Sequence, residues 1–297
     1  MGSPENTHLE FINSHSLNGR IIPDSWDPFA VGASANVYKG TLFRPNGHKI
    51  PVAIKMLLSN RNDGDQEYTL KQLKREANIW APLNHKHLVP FLGICDDISR
   101  WPCLISPLYN HGHVGKFIRN NPTANRGALI LGVALGLEYL HEKDIIHGDL
   151  KVANVFVDED SIPRIADFGI SKIVNRRGYT TWSIGTPSYM APELFHVLTP
   201  TAEKEVYPRT TKSSDVYSFN LLALEISISK PPRGRPSRPF LTVEQLSGLR
   251  PQRMDYSTVP DETWSILDRG WELEPNDRPT ISELRLQLSS AFDNTKG

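Results

Sequence analysis

The chain has 297 residues, 39% of them hydrophobic and 22% charged, which suits one large domain or two of middling size with a sizeable core and excludes wholesale disorder and fibrous architectures. Thirty-three basic residues cancel thirty-three acidic ones, so there is no net positive field of the kind that holds a protein on nucleic acid or anionic lipid. Two cysteines, Cys95 and Cys103, are too few for a disulfide scaffold or a Cys-rich zinc site and point to a reducing, cytoplasmic setting.

Residues 1–24 read as a polar N-terminal tail. Met1-Gly2-Ser3-Pro4-Glu5-Asn6 begins like a myristoylation signal but has Asn6 where Ser or Thr is needed, and no apolar signal-peptide core follows. Strand-like segments come next at 36–42, 51–57 and 88–95, rich in Val, Ile, Tyr and Phe with Gly, Pro and Asn between them, and together they predict an antiparallel sheet. Between them, 66–83 places Leu70, Leu73, Ala77 and Trp80 at spacings of three and four, an amphipathic helix. Beyond Asn121-Pro122 the sequence turns mainly helical, with buried helices expected over 128–141 and 215–228 and amphipathic ones over 264–271 and 281–292. Two irregular stretches, 171–192 and the basic, Pro-rich 230–239, separate them. The longest apolar run without a charge, 127–137, has eleven residues against the about 20 that a membrane-spanning helix needs.

The run His147-Gly148-Asp149-Leu150-Lys151-Val152-Ala153-Asn154 places a Lys two residues and an Asn five residues after an Asp, and Asp167-Phe168-Gly169 begins thirteen residues beyond Asn154. A carboxylate and an amide on adjacent turns, with a second carboxylate nearby, are hard oxygen ligands of the kind that hold Mg²⁺ on a nucleotide phosphate. That leaves the first carboxylate to orient a hydroxyl. Upstream stands Val52-Ala53-Ile54-Lys55, with Glu76 twenty-one residues later on the expected helix, and downstream Ala191-Pro192-Glu193. In order and type these residues resemble the signature set of the eukaryotic protein kinases. Tyr38-Lys39-Gly40 and Gly185-Thr186-Pro187-Ser188-Tyr189-Met190 are similar to the tyrosine-kinase-like group, and His147-Gly148-Asp149-Leu150 with Ala153 before Asn154 resembles its expanded fungal branch.

The resemblance covers about residues 25–293 and implies a bilobal α+β fold. Residues 25–109 would form a lobe with a small antiparallel sheet and one helix, and 110–297 a mainly helical lobe. It implies ATP and Mg²⁺ as cofactors and transfer of the γ-phosphoryl group to Ser or Thr hydroxyls of protein substrates. Asp149 would accept the hydroxyl proton, Asn154 and Asp167 would ligate the metal, and Lys55, paired with Glu76, would hold the α- and β-phosphates. Lys151 resembles the γ-phosphate lysine of Ser/Thr kinases. With Thr186 it disfavours a tyrosine or dual-specificity kinase. Ser106 would be the gatekeeper, the Pro107 carbonyl and Tyr109 N–H the adenine-binding pair, and Val37, Ala53 and Phe156 the side chains about the ring. Trp80, Phe91, His147 and Phe168 would form the regulatory spine. Cys95 and Cys103 are expected to fill strand cores, and His111 and His113 to lie in a loop.

Two departures stand out. The three loop glycines fall on Ala30, Gly32 and Ala35, so only the middle one remains, and weaker phosphate clamping follows. The resemblance puts Thr180, Thr181, Ser183 and Thr186 in the activation segment, and Gly148 replaces the Arg that reads a phosphate there, which lowers the expected dependence on phosphorylation at Thr180, Thr181 or Ser183. The alternative they support is a pseudokinase, a nucleotide-binding or scaffolding module on the same fold.

Overall fold

The computed structural model describes residues 15–32, 35–58, 64–169, 171–173, 186–197, 209–232, 240–241 and 250–294. The protein divides into two compact units, one of residues Met1–Asn84 and Val89–Tyr109, the other of His85–Leu88 and Asn110–Gly297. The α+β bilobal architecture is that of the expected fold class.

The first unit is a sheet with one helix. Its strands are β1 (Ile21–Pro23), β2 (Ala30–Val31), β3 (Ala35–Phe43), β4 (Lys49–Leu57), β5 (Gly93–Cys95) and β6 (Cys103–Pro107), in the spatial order β1-β3-β4-β6-β5 with β2 also paired to β3. Every pairing is antiparallel. Alternation along β3 buries Tyr38 and Leu42 on one face, where they join Val52, Ile54, Ile105 and both cysteines in a core cluster. Cys95 and Cys103 are free and fully buried; burial pushes the Cys95 thiol up to about 12, with a hydrogen bond to Asp97 adding to it. Helix α1 (Gly64–Trp80) follows β4. It buries Leu73, Ala77 and Trp80 at the expected spacings and stops short of Pro82, whose ring cannot continue a helix.

Two sequence expectations change here. The tail assigned to 1–24 is fastened to the sheet from His15 onward: Ser16 bridges Ile94, Ile21–Pro23 pair with β3, and Leu17 and Ile21 lie in the core cluster. Polar neighbours hid these two apolar anchors. The strand expected at 88–95 shrinks to Gly93–Cys95. Pro90 has no N–H for the ladder, and Leu88 is diverted to a bridge with Ile165 in the second unit.

The second unit is built on helices α2 (Val114–Asn120), α3 (Arg126–Glu142), α4 (Lys212–Ile228), α5 (Asp261–Arg269) and α6 (Ile281–Asn294). Asn125 caps α3 by accepting from the Ala128 N–H, and Thr211 and Ser214 form a reciprocal capping box at α4. All residues of α4 from Ser214 to Ile226 are buried, the polar Ser214, Asp215, Ser218, Asn220 and Glu225 along with the apolar ones between them. Short strand pairs frame the loops: β7 (Ile145–Ile146) with β10 (Lys172–Ile173), β8 (Val155–Val157) with β9 (Pro163–Ile165), and β11 (His196–Val197) parallel to β12 (Phe240–Leu241). The segments holding Thr180, Thr181 and Ser183, and most of the Pro-rich stretch, lie outside the described residues.

Two close approaches in this unit depend on glycine. A Cβ on Gly132 would stand 2.8 Å from the His87 ring, and one on Gly136 2.8 Å from the His87 carbonyl, so residues 85–88 lie in a groove along α3. His87 Nδ1 donates to the Pro163 carbonyl at 3.0 Å, which requires that nitrogen to carry the proton. At Gly270 a Cβ would fall 1.9 Å from Asn220 Nδ2 and 2.3 Å from its Cγ. Asn220 is fully buried in α4, bonded through Nδ2 to the Val216 carbonyl at 2.7 Å.

Gly270→Ala should therefore destabilise the protein by roughly 3 kcal/mol or more through overpacking, and Asn220→Gly in the same protein should recover most of the loss, as read by urea unfolding of the single and double variants. For His87, burial is the largest cause holding its pKa below the ordinary 6.5, and the charges of His85, Lys86 and Arg164 act in the same direction. A folded pKa below the unfolded one gives stability that is fully present above the unfolded value and is lost as the pH falls through the folded one. The melting temperature should thus drop as the pH is lowered below the ordinary value of 6.5, and His87→Asn, which keeps a donor without titrating, should shrink that drop.

Candidate active site

In the first unit, register brings the expected nucleotide residues to one sheet face. Val37 pairs with Lys55, Lys39 with Ala53, and Ala53 with Ser106; directly paired residues share a face. Lys55 Nζ reaches Glu76 Oε1 at 2.6 Å across β4 and α1, and Glu76 is only 2% exposed. Ala30 pairs with Val37 in the short β2, and the Gly32 N–H donates to the Ala35 carbonyl at 2.9 Å. A Cβ on Gly32 would meet that carbonyl at 3.1 Å, so the remaining glycine sits at the tight point of the loop. Pro107 closes β6, and the next N–H, of Leu108, donates to Pro51 at 3.0 Å before Tyr109 ends the unit. Trp80 packs against Phe91 at 5.4 Å and donates from Nε1 to the Val89 carbonyl at 2.6 Å.

In the second unit, a compact network surrounds Asp149. Its Oδ1 accepts from the Thr186 hydroxyl at 2.7 Å and its Oδ2 from Lys151 Nζ at 2.6 Å, while Lys151 Nζ also donates to Thr186 Oγ1 at 2.7 Å. Asn154 Nδ2 donates to the Asp149 carbonyl at 2.9 Å, with a longer approach of 3.3 Å to Oδ2. Asp149 is 14% and Lys151 23% exposed, so the carboxylate is partly desolvated yet reachable. The Ala166 N–H donates to the Asn154 carbonyl at 2.8 Å, which ties the loop at 149–154 to the stretch entering Asp167. Asp167 has φ +67, a left-handed conformation uncommon outside glycine. Phe156 pairs with Arg164 in the β8–β9 hairpin and bridges His113.

The loop is positioned from below. Asp215, 1% exposed at the start of α4, accepts from the backbone N–H of His147 and of Gly148, each at 2.8 Å, and from His141 Nε2 at 3.0 Å. Gly148 has φ +82, which the arginine expected there could adopt only with strain. His147 is fully buried, its Nε2 meeting the Ala166 carbonyl at 2.9 Å and its ring lying 5.8 Å from Phe168. It is therefore a packing and hydrogen-bonding residue. Further along, Glu193 is gripped by both terminal nitrogens of Arg278 at 2.7 and 2.8 Å.

Three contacts go beyond what the sequence implies. Thr186, expected in the activation segment, bonds to Asp149, 37 positions earlier. His113, expected as a loop residue, is the N-cap of α2, accepting the Lys116 N–H through its side chain. Tyr189 donates to Glu225 at 2.5 Å; burial pushes both groups up, so the tyrosine keeps the proton it donates. A capping histidine gives no more signal in a sequence than a surface one, and a pair 36 residues apart gives none.

The family model described as protein tyrosine and serine/threonine kinase matches residues 27–288. The chain is similar to the serine/threonine-protein kinase STY46 of Arabidopsis thaliana, at 31% identity over 87% of this sequence and 42% of the relative. It is also similar to STY17 (30% identity, 82% and 41%) and to the cysteine-rich receptor-like protein kinase 5 (31%, 75% and 34%) of the same plant. The chain thus spans about two fifths of the length of the curated relatives it matches. Among the described residues no helix is long and apolar enough to cross a membrane.

The three donors to Asp215 make its carboxylate the test of how the loop is held. Asp215→Asn should cost about 2–4 kcal/mol, because an amide cannot accept all of them without turning its own N–H groups toward a donor. Thermal unfolding, with exchange of the His147 and Gly148 amides, would measure both the loss and its location.

Proposed function

The chain belongs to the protein tyrosine and serine/threonine kinases, and from that premise we propose that it transfers the γ-phosphoryl group of ATP to Ser or Thr hydroxyls of protein substrates, with Asp149 as the base. The observation that carries this reading is the carboxylate of Asp149 held between Thr186, Lys151 and Asn154. A carboxylate fixed at both oxygens by donors presents one orientation to an incoming hydroxyl, and positioning is most of what phosphoryl transfer requires of a protein. Asp149 takes the hydroxyl proton as the oxygen attacks. Lys151, already at 2.6 Å from Asp149, brings a positive charge to the place where negative charge gathers on the transferred group.

Kinases use ATP with a divalent metal. Asn154 and Asp167 offer an amide oxygen and a carboxylate, the hard donors that Mg²⁺ prefers. The Asn154 amide nitrogen is engaged by Asp149, which identifies the other amide atom as the oxygen available for a cation. When bound there, Mg²⁺ would neutralise phosphate charge. In the first unit, the ion pair with Glu76 fixes Lys55 for the α- and β-phosphates, Ala30 and Gly32 belong to the loop over them, and Val37 and Ala53 supply apolar surface for adenine. Pro107 and Tyr109 would supply the carbonyl and N–H for the base beside the small Ser106, and Phe156 a further apolar contact. The Thr186 bond to Asp149 and Lys151 favours Ser/Thr over Tyr acceptors, because it holds the lysine in a place suited to the γ-phosphate when the acceptor side chain is short.

Incubation with Mg²⁺ and γ-labelled ATP, alone and with a generic basic protein, is expected to yield phosphoserine or phosphothreonine. Asp149→Asn and Lys55→Met should each lower the rate by about 10² or more. Labelling that persists in both variants would overturn the assignment. A nucleotide-induced rise in melting temperature without any transfer would instead identify the scaffolding alternative, with Ala30 and Ala35 as the suspect positions.

A further inference from the structure

Residues 15–24 run as a strap between the two edges of the first unit's sheet. At one edge the Ile94 N–H donates to the His15 carbonyl at 2.8 Å and the Leu17 N–H donates to the Ile94 carbonyl at 2.7 Å. At the other, Ile21–Pro23 pair with β3. Two glycines are shaped to receive it. A Cβ on Gly93, at φ +151, would lie 2.5 Å from the His15 carbonyl, and one on Gly40 would lie 2.8 Å from the Ile22 carbonyl. The family match begins only at residue 27, so the strap lies outside it. Its fastening is at Asn18-Gly19. The Asn18 amide donates to the Asp96 carboxylate and accepts the Asp96 N–H at 3.0 Å, and the Gly19 N–H donates to Asp97 Oδ2 at 2.6 Å.

We infer that Asn18 is a deamidation site guarded by this fastening, and that its conversion to aspartate releases the strap. In an Asn-Gly step the glycine nitrogen gives up its proton to solvent and attacks Cγ of the asparagine. A new bond from that nitrogen to Cγ closes the ring, the bond from Cγ to Nδ2 breaks and ammonia leaves. Water then opens the imide to aspartate or isoaspartate, so the net reaction is amide plus water to acid plus ammonia. The closed strap blocks the attack, because the nucleophilic nitrogen is donating to Asp97 and the target carbon is clasped to Asp96. Both residues are exposed, so once the strap lifts and their hydrogen bonds open, solvent is already at hand to take the glycine proton. After conversion, a carboxylate at position 18 has no proton for Asp96 and faces it with like charge, which opposes re-closure. The reaction therefore runs from the lifted state and holds the strap there, a one-way release.

The molecule carries its own reference in Asn46-Gly47. Among the described residues that pair is held within its hairpin turn, by the His48 N–H to Asn46 Oδ1 at 3.1 Å and the Gly47 N–H to the Arg44 carbonyl at 2.9 Å. Neither the strap nor its fastening depends on phosphoryl transfer, so the test reads mass and stability. The full-length protein is incubated at mildly alkaline pH, and peptide mass mapping follows conversion at residues 18 and 46. Asp97→Ala, which removes the acceptor of the Gly19 N–H, should speed conversion at Asn18 by roughly five- to tenfold while leaving Asn46 unchanged. Equal Asn18 rates in the two proteins would overturn the inference. Acceleration at both sites reports unfolding, and the Asn18→Asp variant then decides: a lower melting temperature and faster exchange of the Ile94 and Leu17 amides uphold release, and wild-type values for both reject it.

Discussion

The buried carboxylate of Asp215 is the constraint from which the second unit's chemistry follows. A carboxylate at 1% exposure is tolerable only with its oxygens satisfied, and here two successive backbone N–H groups and one imidazole do so. Because α4 is buried along its length, it cannot shift to follow the loop; the loop conforms to the helix. The left-handed Gly148 before Asp149 is held by that anchorage directly, and the amide of Asn154 ties the other side of the loop to the Asp149 carbonyl.

The first unit solves a different problem. A sheet of short strands has two open edges, and unpaired edges invite misassembly. Here one stretch of backbone pairs at both edges and contributes two apolar side chains to the shared core. The charged pair of Lys55 and Glu76 is thus carried on a strand, β4, that has partners on each side, and on a helix whose packing face is visible as a repeat. Rigidity of the supporting strand matters because a lysine carries its charge on a flexible four-carbon stem.

What can be read from the residues and what cannot divides along sequence distance. The candidates Lys55, Asp149, Asn154 and Asp167 are legible because each lies in a short run whose residue types and order are distinctive, Glu76 because it falls on the periodic helix twenty-one residues after Lys55, and the helices are legible where Leu73, Ala77 and Trp80 set a period or, in α4, where apolar residues cluster. The expected strands fail at Pro90, where apolar composition outweighs a missing donor, and at residues 15–24, where Leu17 and Ile21 are too sparse among polar neighbours to mark a strand. Contacts such as Thr186 with Asp149, Tyr189 with Glu225, or Asn220 beneath Gly270 depend on which surfaces the fold brings together. No local pattern encodes them. The pairing of a larger Asn with an absent Cβ is a matter of volume, which a hydrophobic period does not register.

Arg278 carries a consequence for how the protein is made. Its side chain is fully buried, and its five N–H groups each have an acceptor: two on Glu193 and one each on the carbonyls of Glu272, Ser213 and Leu273. Glu193 precedes it by 85 residues. A ribosome delivers the polypeptide from its N-terminus, at about 5–20 residues per second, so the turn at Ala191-Pro192-Glu193 waits several seconds for the guanidinium that locks it. Until then the nascent second unit has α3 and α4 but no clamp on that turn, and this is the interval in which chaperone binding would matter most.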